Sequence, residues 1–132
     1  MRPQALVVVV AALACVALSA VGGAGATPPR PFIGTWWAVD PSDGSTEQLT
    51  FGAGGDMFFR DDSAHVCAGV QAFAKDTGTV DQNTWTGSGA ATLRCPADDG
   101  MTIPNVFFQF TLNSDGTLSG SIGDEVWTRT RP

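Results

Sequence analysis

The sequence predicts a small all-β domain, built either as an antiparallel barrel or as a β-sandwich. No stretch after residue 26 carries an apolar 3.6-residue repeat long enough for a helix. Gly, Asp, Asn and Ser recur about every 8–12 residues and separate short segments rich in Thr, Val, Phe and Trp. Apolar residues alternate clearly late in the chain, where one strand face is expected to carry Val106, Phe108, Phe110 and Leu112.

The turn signals divide the chain into short strands. Asp43-Gly44 and Asp115-Gly116 supply the positive φ angle that tight turns require. Leu49 and Phe51 show the same alternation as the later strands, so one face of each strand is expected to be solvated. We expect strands near residues 35–39, 46–52, 56–61, 68–75, 77–80, 84–95, 105–112, 116–122 and 125–131.

The first 26 residues have the pattern of a cleaved signal peptide. Arg2 supplies the positive start, an apolar run follows from Ala5 to Ala20, and Ala24-Gly25-Ala26 fits the cleavage site. An uncleaved membrane anchor is less favoured, because the run is shorter than the roughly 20 residues that span a bilayer. We therefore expect a secreted, extracellular protein with a proline-rich extended leader at 27–33 and a single β domain at 34–132.

The charge of the expected mature chain argues against some partners. Removing residues 1–26 takes away Arg2, so six basic residues face thirteen acidic ones and the net charge is −7. Such a surface repels phosphate backbones and anionic lipids. We expect no nucleic-acid partner, no membrane partner after signal removal, and a soluble monomer.

Cys67 and Cys95 are the two cysteines that remain after the signal, and we expect them to form a disulfide. A zinc site would need four ligands, and only His65 lies nearby. With a hairpin turn centred near Asp81, the two cysteines would lie opposite each other on adjacent strands, within bridging distance.

No catalytic constellation is visible, so we do not expect an enzyme. His65 follows Asp61, Asp62 and Ser63, but side chains within one short segment rarely converge on one point. Neither Asp61-Asp62 nor Asp98-Asp99 has the spacing of a calcium-binding loop. We therefore predict no cofactor and no metal site.

The aromatic residues are the more informative set. Alternation places Trp36 and Trp37 on opposite faces, so one of them belongs to the core and the other lies outside or at an edge. An aromatic ring on a surface or in a cavity can stack on a ligand or anchor a partner. The candidate ligand-binding residues are Trp37, Trp85 and Phe73.

Gly34, Thr35 and Trp36 open the first strand, and the chain closes on Trp127-Thr-Arg-Thr-Arg131. This pattern resembles the calycin superfamily, which includes lipocalins and avidins. The resemblance implies an up-and-down barrel of about eight strands, in which an Arg packs over the first Trp. Arg129 or Arg131 would take that position, and Gly34, Trp36 and Arg129 would be structural residues.

Two functions follow from these expectations. The first is a secreted binding protein that holds a small apolar or amphipathic ligand, as the calycin resemblance implies. The alternative is a protein–protein or carbohydrate interaction module, such as an inhibitor of an exported enzyme. In that case the narrow barrel would be filled by its own side chains, and an exposed apolar patch would contact the partner.

Overall fold

Antiparallel β-strands dominate the computed structural model, which describes residues 31–89, 91–96, 100–121 and 124–132. The expected signal peptide at 1–26 and most of the expected leader at 27–33 lie outside these ranges. The described part of the chain contains no helix long and apolar enough to cross a membrane. The strands are β1 (Gly34–Val39), β2 (Thr46–Phe51), β3 (Asp56–Ala64), β4 (Val70–Asp81), β5 (Thr84–Gly87), β6 (Ala91–Cys95), β7 (Met101–Val106), β8 (Gln109–Leu112), β9 (Leu118–Gly120) and β10 (Val126–Trp127).

The strands form a nearly closed up-and-down barrel. Eight of them pair in the order β1-β2-β3-β4-β5-β8-β9-β10, and every pairing is antiparallel. The N–H groups of Trp37 and Thr128 each donate to the other residue's carbonyl, at 2.7 and 2.8 Å, and join the two ends of this path. The β6–β7 hairpin lies beside the path and pairs with β4. The prediction of an antiparallel barrel of about eight strands is confirmed.

Aromatic side chains fill the interior of the barrel. The Phe51 ring makes edge-on contacts with Phe32, Trp85 and Phe110, with ring centroids 5.3–5.8 Å apart. Such geometry suits the charge distribution of aromatic rings and adds to the burial of their area. The largest fully buried side chains are Trp36, Trp85, Trp127, Phe32, Phe51, Phe108, Phe110, Leu49, Met57 and Leu118.

One end of the barrel is covered by Arg129. Its guanidinium carbon lies 3.8 Å from the centre of the Trp36 ring. The same guanidinium donates to the carbonyl oxygens of Thr35, at 3.3 Å, and Pro31. Trp36 is buried and its Nε1 donates to the carbonyl of Phe32 at 2.9 Å. Gly34, Trp36 and Arg129 therefore form one structural unit at this end.

Cys67 and Cys95 form the expected disulfide, with Cα atoms 5.4 Å apart. The predicted register was wrong, because Asp81 pairs with Thr84 and the turn consists of Gln82 and Asn83. Gln82 adopts the positive φ of +53° that a two-residue hairpin turn needs. Cys67 ends a short 3₁₀ helix (His65–Cys67) before β4 begins. The disulfide therefore ties this helix to the end of β6.

Several strand boundaries also differ from the prediction. The segments 68–75 and 77–80 form the single strand β4, because Asp76 and Thr77 continue the extended backbone. The segment 84–95 is divided into β5 and β6. The segment 105–112 is likewise divided, and its first residues belong to β7, which begins at Met101.

Candidate functional site

An open groove lies where the partner of β4 is interrupted. β4 pairs with β5 from Gly78 onward and with β6 at Phe73. Residues 74–76 between these points have no ladder partner on that side among the described residues, and the Thr77 carbonyl accepts from the Ser88 N–H at 2.8 Å. The groove that results has a volume of about 980 Å³. Its lining includes Phe58, Phe73, Lys75, Ser88, Thr92 and Arg94.

Asp76 ties the chain that leaves β5 to β4 at this interruption. Its Oδ1 accepts hydrogen bonds from the Ser88 hydroxyl at 2.6 Å and from the Thr77 N–H at 2.8 Å. A Cβ atom at Gly87 would collide with Asp76 Oδ2, so only glycine fits at that point. Gly89 then turns the chain with a φ of +93°, which glycine adopts at little steric cost. Specific hydrogen bonds and two glycine positions therefore shape the groove.

The outer face of the groove combines two aromatic rings with two cations. Phe58 and Phe73 are half-buried, with ring centroids 6.4 Å apart and planes inclined by 30°. Lys75 is directly opposite Phe58 on the neighbouring strand, and Arg94 is directly opposite Phe73. Both cations are exposed. Opposed residues on one sheet face have Cβ atoms about 5 Å apart, so each cationic side chain starts beside an aromatic one.

A second, shallower depression adjoins the groove. It has a volume of about 350 Å³ and shares Thr77 and Ser88 with the groove. Glycines form part of its floor, and its other lining residues are Thr79 and Thr86. It adds hydroxyl groups to one end of the groove.

The three predicted ligand-binding residues are separated by the fold. Phe73 lines the groove. Trp85 is fully buried in the barrel core, where its Nε1 donates to the Gly55 carbonyl at 3.2 Å. Trp37 is half-buried on the outer face, with the Arg131 guanidinium 5.1 Å from its ring centre. Only Phe73 of the three lies in the groove.

A second cluster of functional groups lies inside the barrel, at the end opposite Arg129. Ala38, Glu47 and Asp61 are neighbours on β1, β2 and β3 and face the interior. Asp40 follows β1 directly. One carboxylate oxygen from each of Asp40, Glu47 and Asp61 lies within 4.8 Å of the others. We call these three residues the acidic cluster.

The β1–β2 loop positions Asp40 through a network of local hydrogen bonds. Asp40 Oδ1 accepts from the Ser42 N–H at 2.7 Å, and the Asp40 N–H donates to the Ser45 carbonyl at 2.9 Å. Asp43 Oδ1 accepts from the Ser45 N–H at 2.9 Å. Asp43 Oδ2 accepts from the His65 N–H at 3.1 Å and links the loop to the 3₁₀ helix. These bonds fix the loop over the end of the barrel.

Burial and like charges make the acidic cluster unfavourable for ionised groups. Burial, followed by the nearby charges of Glu125 and Asp61, raises the pKa of Glu47 to about 8. Burial also raises the pKa of Asp61 and of Glu125. The buried atoms Ser45 Oγ, Glu47 Oε2 and Glu125 Oε2 have no hydrogen-bond partner among the described residues.

Sequence analysis missed the acidic cluster, although one signal pointed to it. The alternation that turns Leu49 and Phe51 inward also turns Glu47 inward, and Asp61 is in phase with Met57 and Phe59. An acidic residue at an inward position is unusual, since buried carboxylates require a partner. Asp40 could not be found in this way, because it belongs to a loop.

The segment around His65 does not assemble a nucleophilic triad in the described structure. The Ser63 N–H donates to Asp61 Oδ1 at 3.0 Å, and His65 is exposed. No hydrogen bond joins the Ser63 hydroxyl to the His65 ring within the described residues. Asp98-Asp99, the other acidic pair considered above, lies outside the described residues.

Comparisons with protein-family models, with curated proteins and with solved structures find no match for this chain.

Proposed function

We propose that this chain is a secreted binding protein for a small amphipathic ligand, which it holds in the groove beside β4. The observation that carries the proposal is the combination of Phe58 and Phe73 with Lys75 and Arg94 around one concave surface. Its volume of about 980 Å³ is within the range of small-molecule sites.

The filled barrel supports a site on the outside. Lipocalin-type binding would require space within the barrel, but Trp36, Trp85 and Trp127 are each at most 1% exposed and occupy that interior. The groove needs no rearrangement of the core, because it lies where β5 ends and β6 begins. The calycin resemblance thus agrees with the barrel architecture. We place the ligand site on the outer face of the barrel, whereas lipocalin-type binding would place it inside.

The lining indicates a ligand with a flat apolar part and an anionic group. Phe58 and Phe73 offer ring surface to the apolar part. Lys75 and Arg94 can pair with a carboxylate, sulfonate or phosphate. The lining also holds the carboxylates of Asp56 and Asp76. Asp76 Oδ1 accepts hydrogen bonds from Ser88 and Thr77, and its Oδ2 has no hydrogen-bond partner among the described residues.

The proposal is tested with the fluorescent anion 1-anilinonaphthalene-8-sulfonate, which has both an aromatic body and a negative group. We expect saturable binding with one site per chain. Phe73→Ser and Arg94→Gln should each weaken the probe's Kd by about tenfold, which corresponds to the loss of one aromatic or ionic contact. Circular dichroism and urea titration of each variant verify that it is folded.

Phe107→Ser is the matched control. Phe107 is 66% exposed and does not line the groove, so its replacement should leave the Kd unchanged. Equal weakening by Phe107→Ser and Phe73→Ser, or the absence of saturable binding, would overturn the proposal. Native mass spectrometry of the protein taken from its host would weigh any natural ligand directly.

The alternative function is a protein–protein or carbohydrate interaction module with a filled barrel. The exposed Phe107 is the candidate anchor for such a partner, because an aromatic ring supplies a large apolar contact area. Trp37 is less suited to stack on a sugar, since Arg131 already lies over its ring. Loss of partner capture on Phe107→Ser, together with unchanged probe binding, would favour this alternative.

A further inference from the structure

We propose that Asp40, Glu47 and Asp61 form a binding site for a divalent cation that prefers oxygen ligands, with calcium as the favoured ion. This site is independent of the groove and of the function proposed for it. Asp40 follows β1, Glu47 lies on β2 and Asp61 lies on β3, so folding of the barrel brings the three carboxylates together.

The spacing of the oxygen atoms fits one ion. Calcium is coordinated by oxygens at about 2.3–2.6 Å, so two ligands of the same ion lie at most about 5 Å apart. One carboxylate oxygen from each of the three residues lies within 4.8 Å of the other two. A cation placed among them can therefore contact all three without movement of the backbone.

Unpartnered buried oxygens provide the second, independent observation. Glu47 is only 2% exposed, and its Oε2 accepts no hydrogen bond among the described residues. Ser45, 5% exposed, immediately precedes the strand that carries Glu47, and its Oγ is also without a partner among the described residues. Buried polar atoms are nearly always paired, since leaving one unpaired destabilises the folded state. A bound cation would satisfy Glu47 Oε2.

The surrounding charges also favour a cation. Two further carboxylates, those of Asp43 and Glu125, carry negative charge beside Glu47. The ion pair found in the described structure joins Arg60 to Asp62 on the outer face, so it does not neutralise the interior carboxylates. His65 adjoins Asp43 through its backbone N–H and is exposed.

Calcium is favoured over magnesium because two of the ligands are deeply buried. Glu47 and Asp61 are 2% and 4% exposed and would bind the ion directly. Magnesium usually retains several waters and demands octahedral geometry, whereas calcium accepts six to eight oxygens in variable arrangements. Bidentate carboxylates and the Ser45 hydroxyl can supply that number.

The test is thermal unfolding of the chelator-treated protein with and without calcium chloride at about 10 mM, with sodium chloride at equal ionic strength as the reference. We expect calcium to raise the Tm by about 5 °C or more. Titration calorimetry should give one ion per chain. Glu47→Gln should abolish both the rise in Tm and the calorimetric binding. Asp40→Asn should weaken both, and it serves as the test variant if Glu47→Gln does not fold.

Asp81→Asn is the matched control, because Asp81 is an exposed carboxylate at the β4–β5 turn, outside the acidic cluster. It should bind calcium as the unchanged protein does. The proposal is overturned if calcium causes no more stabilisation than sodium chloride, or if its effect persists undiminished in both Glu47→Gln and Asp40→Asn.

Discussion

Replacing Glu47 by Gln should remove most of the pH dependence of stability between pH 5 and pH 8.5 in the metal-free protein. The folded state holds a proton on Glu47 up to about pH 8, because burial and the neighbouring carboxylates oppose its ionisation. In the unfolded chain the same group ionises near its ordinary pKa of 4.5. Between these two values the folded state therefore binds more protons than the unfolded state.

The sign follows from this difference in protonation. The contribution of Glu47 to stability is complete below pH 4.5, decreases as the pH rises, and is lost above about pH 8. At about 1.4 kcal/mol for each pKa unit, the full effect has an upper bound of roughly 5 kcal/mol. Rearrangement of Asp40 and Asp61 and entry of water reduce it, so we expect about 3 kcal/mol. The raised pKa of Asp61 adds a contribution of the same sign.

The measurement is urea unfolding followed by tryptophan fluorescence, in chelator and at constant ionic strength. The unchanged protein should lose stability from pH 5 to pH 8.5, while Glu47→Gln should change much less. At pH 8.5 the variant should be the more stable of the two. Asp81→Asn, an exposed carboxylate, should behave as the unchanged protein does. A steep pH dependence that survives in Glu47→Gln would refute the reasoning.

Three further predictions concern the fold and use the same urea assay. Arg129→Gln removes the guanidinium from Trp36 and should cost about 1–3 kcal/mol; an unchanged unfolding midpoint would exclude a structural role for the contact. Gly87→Ala sets a methyl group against Asp76, so it should lower the free energy of unfolding by about 1–3 kcal/mol and weaken probe binding in the groove. Unchanged stability together with unchanged probe affinity would contradict that geometry. Replacing Cys67 and Cys95 by Ser should lower the free energy of unfolding by about 3–4 kcal/mol. A decrease below about 1 kcal/mol would mean that the disulfide constrains the unfolded chain little.

The inward-facing strand positions were accessible from the sequence because they depend on local alternation, whereas a filled barrel was only one of the two alternatives left open. The inward positions of Phe108 and Phe110 follow directly from a period of two. The antiparallel class follows from the close spacing of turn signals, and the disulfide from the number of cysteines. Each of these features depends on residue types and spacing along one short segment.

The groove could not be predicted, because it depends on where a strand stops. The sequence from 84 to 95 favours continuous extended backbone, yet β5 ends at Gly87. The reason is a tertiary contact, since the Asp76 carboxylate occupies the space beside Gly87 and binds Ser88. The register error had a similar origin, because the position of one turn residue, Gln82, shifts every pair in the hairpin.

Strand β3 contributes residues to both proposed sites. Its inward residues, Phe59 and Asp61, contribute to the core and the acidic cluster, and its outward residue Phe58 contributes to the groove. Because successive side chains of a strand point to opposite faces, a substitution at Asp61 leaves the ring of Phe58 in place. A barrel whose core is filled can in this way still carry both proposed sites, one for a cation inside the end beneath the β1–β2 loop and one for an amphipathic anion on its wall.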